Sequence, residues 1–159
     1  LTKNALKIIY ELFSKNKKVD FIFGTVKRHY TTNTIIKYGY NKFRLNYNFD
    51  FATAHSTGFF IKLKSLKKVG NFNTKYKCSA DYDLYYRAII KKKLKGVSTN
   101  KNNLIGIMKS GGYSSKFSFF QHLLEETKIR YNNGQNILII FLIFFNAVLK
   151  FILKRLIIK

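Results

Sequence analysis

The first part of the chain carries two kinds of hydrophobic pattern, apolar residues at helical spacing and short apolar runs typical of buried strands. Apolar residues at helical spacing predict a helix over residues 5–13, and the β-rich run at 19–26 predicts a buried strand directly after it. Phe59–Ile61 predicts a second buried strand, and residues 97–107 predict a return strand interrupted by a polar triplet. A helix followed directly by buried strands indicates an α/β sandwich.

Two further helices are predicted in the second half. The first, over residues 81–90, follows a good N-cap residue, Ser79, and ends in a basic run with Gly96 just beyond it as the C-terminal cap. The second, over residues 117–131, is amphipathic, with Glu125 and Glu126 on its polar side. Its apolar side consists of Phe120, Leu123, Leu124 and Ile129.

The C-terminal segment is strongly apolar from residue 137 to residue 145, after which Asn146, Lys150 and Lys154 form a polar stripe. A helix over 137–153 would reach about 25 Å, short of the roughly 30 Å hydrocarbon core of a bilayer. We therefore expect a helix that lies on an anionic membrane surface rather than one that spans it, with a core helix or an oligomer contact as the alternatives. The predicted division is a domain over residues 1–132 and a basic hydrophobic helix over 133–159.

Composition sets the class of protein. A chain of 159 residues with 47% hydrophobic residues can bury the core of one domain, which excludes a disordered tail. The net charge of +23 indicates an anionic partner, which could be a membrane surface, a nucleic acid or a phosphorylated substrate. Part of this charge is explained by the abundance of Lys, Asn, Ile, Tyr and Phe that an AT-rich coding sequence produces.

Candidate chemistry is concentrated at residues 78–87. The one cysteine, Cys78, excludes an internal disulfide framework and suits a reducing cytoplasm. Asp81 and Asp83 are two of only seven acidic residues, and both fall near a predicted helix start. Acids there can simply complement the helix dipole, worth about 0.3–1 kcal/mol. Alternatively, one carboxylate takes a proton from an acceptor hydroxyl.

Four motifs occur in a recognisable order. They are His55-Ser56-Thr57-Gly58-Phe59-Phe60, Lys68-Val69-Gly70-Asn71-Phe72-Asn73, Ala80-Asp81-Tyr82-Asp83-Leu84 with Arg87, and Gly111-Gly112-Tyr113-Ser114-Ser115. In this order they resemble the acceptor-side half of family-2 glycosyltransferases of the GT-A fold, bacterial enzymes that build surface polysaccharides. The fold that the resemblance implies is α/β, a partial GT-A sandwich of the nucleotide-diphospho-sugar transferase type, with a C-terminal hydrophobic or amphipathic helix.

The resemblance implies an inverting transfer of a sugar from a nucleoside-diphosphate sugar to the hydroxyl of a saccharide or lipid-linked acceptor, in cell-surface polysaccharide synthesis. Asp81 falls on the general base of the family. The resemblance places His55 on the acceptor or phosphate side and the glycine loop near the rim of the pocket. The substrate-binding residues that it implies are Asp83, His55, Ser56, Arg87, Gly111 and Gly112.

The resemblance also bears on metal binding. Asp81-Tyr82-Asp83 matches the Asp-x-Asp metal motif of GT-A enzymes, but in the family that motif ends a strand, whereas this pair opens a helix. No metal ligand is therefore assigned here. A divalent cation, Mg²⁺ or Mn²⁺, is expected in the full-length enzyme, with ligands mostly in a nucleotide-binding half before Leu1. The chain alone is expected to be inactive, and the enzyme to lie in the cytoplasm, peripherally on the inner face of the cell membrane.

Two interpretations without catalysis stay open. A basic nucleic-acid-binding module would account for the charge and the aromatic residues, but the sequence has no helix-turn-helix, zinc or RNA-recognition signature. No nucleic-acid partner is therefore expected. A peripheral membrane protein without catalysis would account for the C-terminal helix.

Overall fold

The structure, a computed structural model, describes residues 1–30, 33–43, 56–109 and 111–157 and shows a mixed α/β fold. The predicted α/β class is confirmed. The strands are β1 (Phe21–Phe23), β2 (Thr25–His29), β3 (Thr34–Lys37), β4 (Phe59–Ile61), β5 (Gly96–Ser98) and β6 (Leu104–Lys109). The helices are α1 (Ala5–Lys15), α2 (Leu63–Val69), α3 (Ala80–Tyr86, continued by a π-helical turn over Arg87–Lys91), α4 (Phe119–Asn132) and α5 (Ile137–Ile157).

The strands form two small mixed sheets. In the first, β1 is central, antiparallel to β4 and parallel to β5. In the second, β2 is central, antiparallel to β3 and parallel to β6. Successive side chains of a strand point to opposite faces of its sheet. In the first sheet, helices pack against both faces. Phe21 and Phe23 pack with α3, while Ile22 packs with α1 and Ile105.

Gly24 divides the segment predicted as a single strand over residues 19–26. The first sheet holds β1 and the second holds β2, so the prediction of one strand is wrong. The Gly24 N–H donates to the Gly58 carbonyl at 2.7 Å. A Cβ at Gly24 would lie 2.6 Å from Cγ1 of Ile105, so only glycine lets the chain pass between the sheets at this point.

The segment predicted as an interrupted return strand also serves both sheets. Its first part is β5 and its second part is β6, joined by a turn in which the Asn103 N–H donates to the Asn100 carbonyl at 2.9 Å. Gly96 was predicted as the cap that ends α3, and that prediction is wrong. Gly96 instead begins β5, where it pairs with Phe21. Lys93 instead takes the left-handed conformation, with φ of 52°, where the helical segment ends.

Gly96→Ala is expected to lower the free energy of unfolding by about 1–3 kcal/mol, the usual cost of overpacking a core. A Cβ at Gly96 would overlap the buried ring of Phe21. Urea unfolding followed by circular dichroism measures the change. Gly112→Ala is the matched control, because that glycine has φ of −67° and an added Cβ would meet no atom within 4 Å. Equal stability of the two variants would contradict the packing described here.

The C-terminal helix α5 runs for 21 residues and ends four residues beyond the predicted end at residue 153. Its length is about 31 Å at about 1.5 Å per residue, so the predicted shortfall against a bilayer is wrong. Among the described helices it is the one long and apolar enough to cross a membrane, judged by length and composition. It folds back along α4, where the rings of Phe119 and Phe151 stack at 4.3 Å.

Candidate active site

The start of α3 is held from outside the helix, by α4. Ser79 occupies the predicted N-cap position, but its side chain makes no capping hydrogen bond. The carboxylate of Glu125 instead accepts the backbone N–H groups of Lys77, Cys78 and Ser79 at 2.8, 2.9 and 3.0 Å. The loop that leads into Asp81 is therefore fixed by three charge-assisted hydrogen bonds.

This contact changes the picture of α4. Leu123 and Ile129 are buried as predicted, but Phe120 and Leu124 are 46% and 58% exposed. The four residues predicted on one apolar side therefore differ in burial. Glu125, predicted on the polar side, contacts the amides that precede α3.

The electrostatics of this contact keep Glu125 ionised and Cys78 protonated. Partial burial acts to raise the pKa of Glu125, but the three amides and the thiol outweigh it and lower that pKa from its ordinary value. The Cys78 thiol donates to the carboxylate at 3.1 Å. Burial, together with this hydrogen bond, raises the pKa of Cys78 to about 11. The thiol is therefore no nucleophile at neutral pH.

Glu125→Gln is expected to destabilise the fold at pH 7 by about 2 kcal/mol, the scale of hydrogen bonds to a charged group. Because the folded pKa of Glu125 is lowered, its contribution is fully present above the ordinary value of 4.5 and is lost as the pH falls through the folded value. Urea unfolding between pH 7 and pH 3 should show a steeper acid loss for the wild type than for the variant. Parallel curves, or an equal change in the exposed-residue control Glu11→Gln, would contradict the contact.

Asp81 lies in the first turn of α3 and is half-buried. Its Oδ1 atom accepts the N–H of Tyr82 at 2.8 Å. One turn later, Tyr85 packs against Phe59 of β4, with ring centroids 4.6 Å apart. Burial, and secondly the negative charge of Asp81, raise the pKa of Tyr85 well above its ordinary value. The Asp81 carboxylate is thus close enough to Tyr85, which packs on the first sheet, for its charge to disfavour ionisation of that phenol.

Asp83 and Arg87, two predicted substrate-binding residues, are in direct contact. Arg87 Nε donates to Oδ2 of the buried Asp83 at 2.8 Å. The guanidinium also donates to the carbonyls of Val69 and Asn71 at 2.6 and 2.7 Å, which satisfies backbone acceptors where α2 ends. This pair joins α3 to the Lys68–Asn73 motif, and both side chains are occupied by protein contacts.

The Asp81-Tyr82-Asp83 motif does not present two carboxylates to one ion. Oδ2 of Asp83 is bound to Arg87, and its Oδ1 accepts from the Asn133 amide at 3.3 Å. Within the described residues no group of three or more His, Cys, Asp or Glu side chains is placed to hold a metal ion. Among the described residues, therefore, no set of side chains fits the divalent cation that the resemblance implies.

Three of the remaining predicted residues, Ser56, Gly111 and Gly112, are among those that the structure describes. His55 falls outside the described residues. Ser56 is exposed and begins a 3₁₀ turn, Ser56–Gly58, which packs against β6 so closely that a Cβ at Gly106 would lie 2.6 Å from Cγ2 of Thr57. Gly111 and Gly112, which follow β6 in the sequence, are exposed, and Gly111 has φ of 95°. The Ser56 turn thus packs on β6, the strand that precedes the two glycines in the sequence.

Comparison of the chain with protein-family models, with curated proteins and with solved structures finds no match. The resemblance to family-2 glycosyltransferases therefore rests on the four motifs of the sequence. The functional residue that the sequence analysis missed is Glu125. The signal that could have pointed to it is that acidic residues are scarce in this basic chain, with seven Asp and Glu against thirty Lys and Arg.

Proposed function

We propose that this chain is the acceptor-side part of an inverting, family-2-like glycosyltransferase with a partial GT-A fold. The observation that carries the proposal is the placement of Asp81. Its half-buried carboxylate sits at a helix start that Glu125 holds on one side and the Asp83–Arg87 pair holds on the other. A general base needs this fixed position beside the acceptor more than it needs an unusual environment.

The reaction uses Asp81 as a proton acceptor. The acceptor hydroxyl oxygen forms a bond to the anomeric carbon of the donor sugar while its proton passes to the Asp81 carboxylate. The bond from that carbon to the diphosphate oxygen breaks, and the nucleoside diphosphate leaves with the electron pair. In this proposal Ser56, His55 and the Gly111-Gly112 loop bind substrate, whereas Asp83 and Arg87 act as positioning residues.

The donor and its cation belong to a nucleotide-binding half that the proposal requires in the complete enzyme. Mg²⁺ or Mn²⁺ bound there would supply charge for the leaving diphosphate. The acceptor is a saccharide or a lipid-linked saccharide, and the cellular place is the inner face of the cell membrane, facing the cytoplasm.

Membrane association is supported by α5. Its outward side is apolar and exposed, and Lys150 and Lys154 are exposed beside it. Because α5 packs along the polar helix α4 through Phe119 and Phe151, we propose that it lies in the plane of the membrane surface. The outward side consists of Leu138, Phe141, Leu142, Phe145, Leu149, Ile152, Leu153 and Leu156.

The test is release of nucleoside diphosphate by the polypeptide that the complete reading frame encodes, given a panel of nucleoside-diphosphate sugars, a divalent cation and membrane lipid extract. The proposal expects release that depends on an acceptor. Removal of residues 137–159 should weaken transfer to lipid-linked acceptors and leave residual transfer to soluble ones. A protein that binds membranes but shows no acceptor-dependent release would instead be a membrane-binding module without catalysis. Salt-resistant, sequence-preferring binding of nucleic acid would favour the nucleic-acid module.

A further inference from the structure

The described residues form an apolar groove between α4 and α5, apart from the Asp81 region. Its volume is about 380 Å³, within the range of small-molecule sites. Leu124 and Thr127 line the α4 side, and Ile140, Phe141 and Phe144 line the α5 side. Ile140 is buried, whereas Leu124 and Phe141 are 58% and 65% exposed. The groove is therefore open and lined mainly by hydrocarbon.

The groove is continuous with the surface proposed to face the membrane. Phe141 belongs both to the groove lining and to the outward side of α5. Ile137, also in the lining, is 64% exposed at the start of the same helix. A hydrocarbon chain that leaves the bilayer along α5 can enter the groove without crossing water, so its transfer carries no cost of exposing apolar surface.

Charge selects among hydrocarbon ligands. Lys128 lines the groove and is exposed, so its ammonium can meet an anionic head group while the rest of the lining meets a chain. The α5 segment contains no acidic residue, and Lys150, Lys154 and Arg155 are exposed on it. Basic residues at a membrane surface attract anionic lipids. The complementary ligand is therefore anionic at one end and apolar along its length.

We propose that this groove binds one acyl chain of an anionic bilayer phospholipid, whose phosphate pairs with Lys128. The site would hold the chain at the membrane in a defined orientation, with α4 at the level of the head groups. It goes beyond a general affinity of α5 for membranes, because it predicts one lipid seated between two named helices. It is independent of sugar transfer, so failure of the transferase assay leaves it standing.

The experiment uses the full chain on vesicles of phosphatidylglycerol or of phosphatidylcholine, each doped with the same lipid carrying a photoreactive diazirine midway along one acyl chain. Mass spectrometry maps the labelled residues after irradiation. Label on α4, at Leu124 and Thr127, is diagnostic, because these residues lie in the groove and outside the outward side of α5. We expect the diazirine-bearing phosphatidylglycerol to label Leu124 and Thr127.

Two variants separate the groove from the outward side. Thr127→Trp fills the groove and should reduce label on α4 at least about fivefold while binding to vesicles changes less than about twofold. Leu138→Trp, on the outward side beyond the groove lining, is the matched control and should leave the α4 label unchanged.

Lys128→Gln should lower the preference for phosphatidylglycerol over phosphatidylcholine about fivefold, as expected for one lysine at an anionic surface.

Two results would overturn the proposal. Label confined to the outward side of α5, and unchanged in Thr127→Trp, would show that lipid covers the helix without a seated chain. A stable dimer on light scattering that excludes lipid label from both helices would show that a second copy covers this surface.

Discussion

In the polypeptide that the complete reading frame encodes, Asp81→Asn is expected to lower the rate of sugar transfer by about 10²–10⁴-fold, the usual contribution of a general base. Asparagine keeps the size of the side chain and can still accept the Tyr82 N–H that Asp81 accepts at 2.8 Å, so the start of α3 should stay folded. It cannot take the proton of the acceptor hydroxyl. The loss should therefore appear in kcat, with little change in donor binding, and steady-state kinetics with isothermal titration of the donor measures both.

The control for this prediction is Glu11→Gln, which removes the same charge from an exposed position on α1. That variant should transfer sugar at the wild-type rate. If Asp81→Asn kept more than about a tenth of the wild-type rate, the carboxylate would be a helix-start residue that complements the dipole, and the base would have to be sought elsewhere.

Asp83→Ala is expected to lower the free energy of unfolding by about 3 kcal/mol, near the lower end for breaking a buried ion pair. The Asp83 side chain is 3% exposed and that of Arg87 is 20% exposed. Removing the carboxylate therefore leaves a largely buried guanidinium that has lost its ion-pair partner. The Asn133 amide loses an acceptor as well. Urea unfolding followed by circular dichroism gives the change.

A double-mutant cycle with Arg87→Ala separates the pair from its surroundings. Residues in one network show coupling of about 0.5–3 kcal/mol, and Asp83 and Arg87 are joined at 2.8 Å. We expect the double variant to be less destabilised than the sum of the single variants. Additive effects would mean that each side chain acts through other contacts, such as the Arg87 bonds to Val69 and Asn71.

The elements that sequence reasoning predicted well are those whose pattern is local. The helix starting at Ala5 and the strand Phe59–Ile61 follow directly from apolar spacing, and both are present, although the strand is half-buried where a buried one was predicted. The start of α3 after Ser79 is also present, although the side chain that satisfies its amides comes from Glu125, 46 residues away from Ser79 in the sequence. A cap from another helix leaves no local signal.

The predictions that were wrong concern features that depend on contacts between segments distant in the sequence. The division of the run around Gly24 follows from the approach of Ile105 and Gly58, which no pattern within that run encodes. Asp83 is buried and paired with Arg87, four residues later on the helix, and the sequence pattern did not indicate that its carboxylate would be interior. The bond from that arginine to the end of α2 could not be inferred from spacing alone.

The candidate site divides in the same way. Ser79 and the helical spacing after it predicted Asp81 at a helix start, and the structure has it there. The motifs predicted its role. They did not indicate that Asp83 and Arg87 would be occupied by protein contacts, because a motif specifies residue types and separations and not the partners that each side chain finds in the fold.

The measurement that tests the central claim most directly is the anomeric configuration of the transferred sugar, read by proton NMR on the product of the polypeptide that the complete reading frame encodes. An inverting transferase with Asp81 as its base gives a product whose configuration is opposite to that of the donor, and Asp81→Asn gives almost none. A product with the configuration of the donor, or a complete polypeptide that transfers no sugar to any acceptor, would contradict the proposed function.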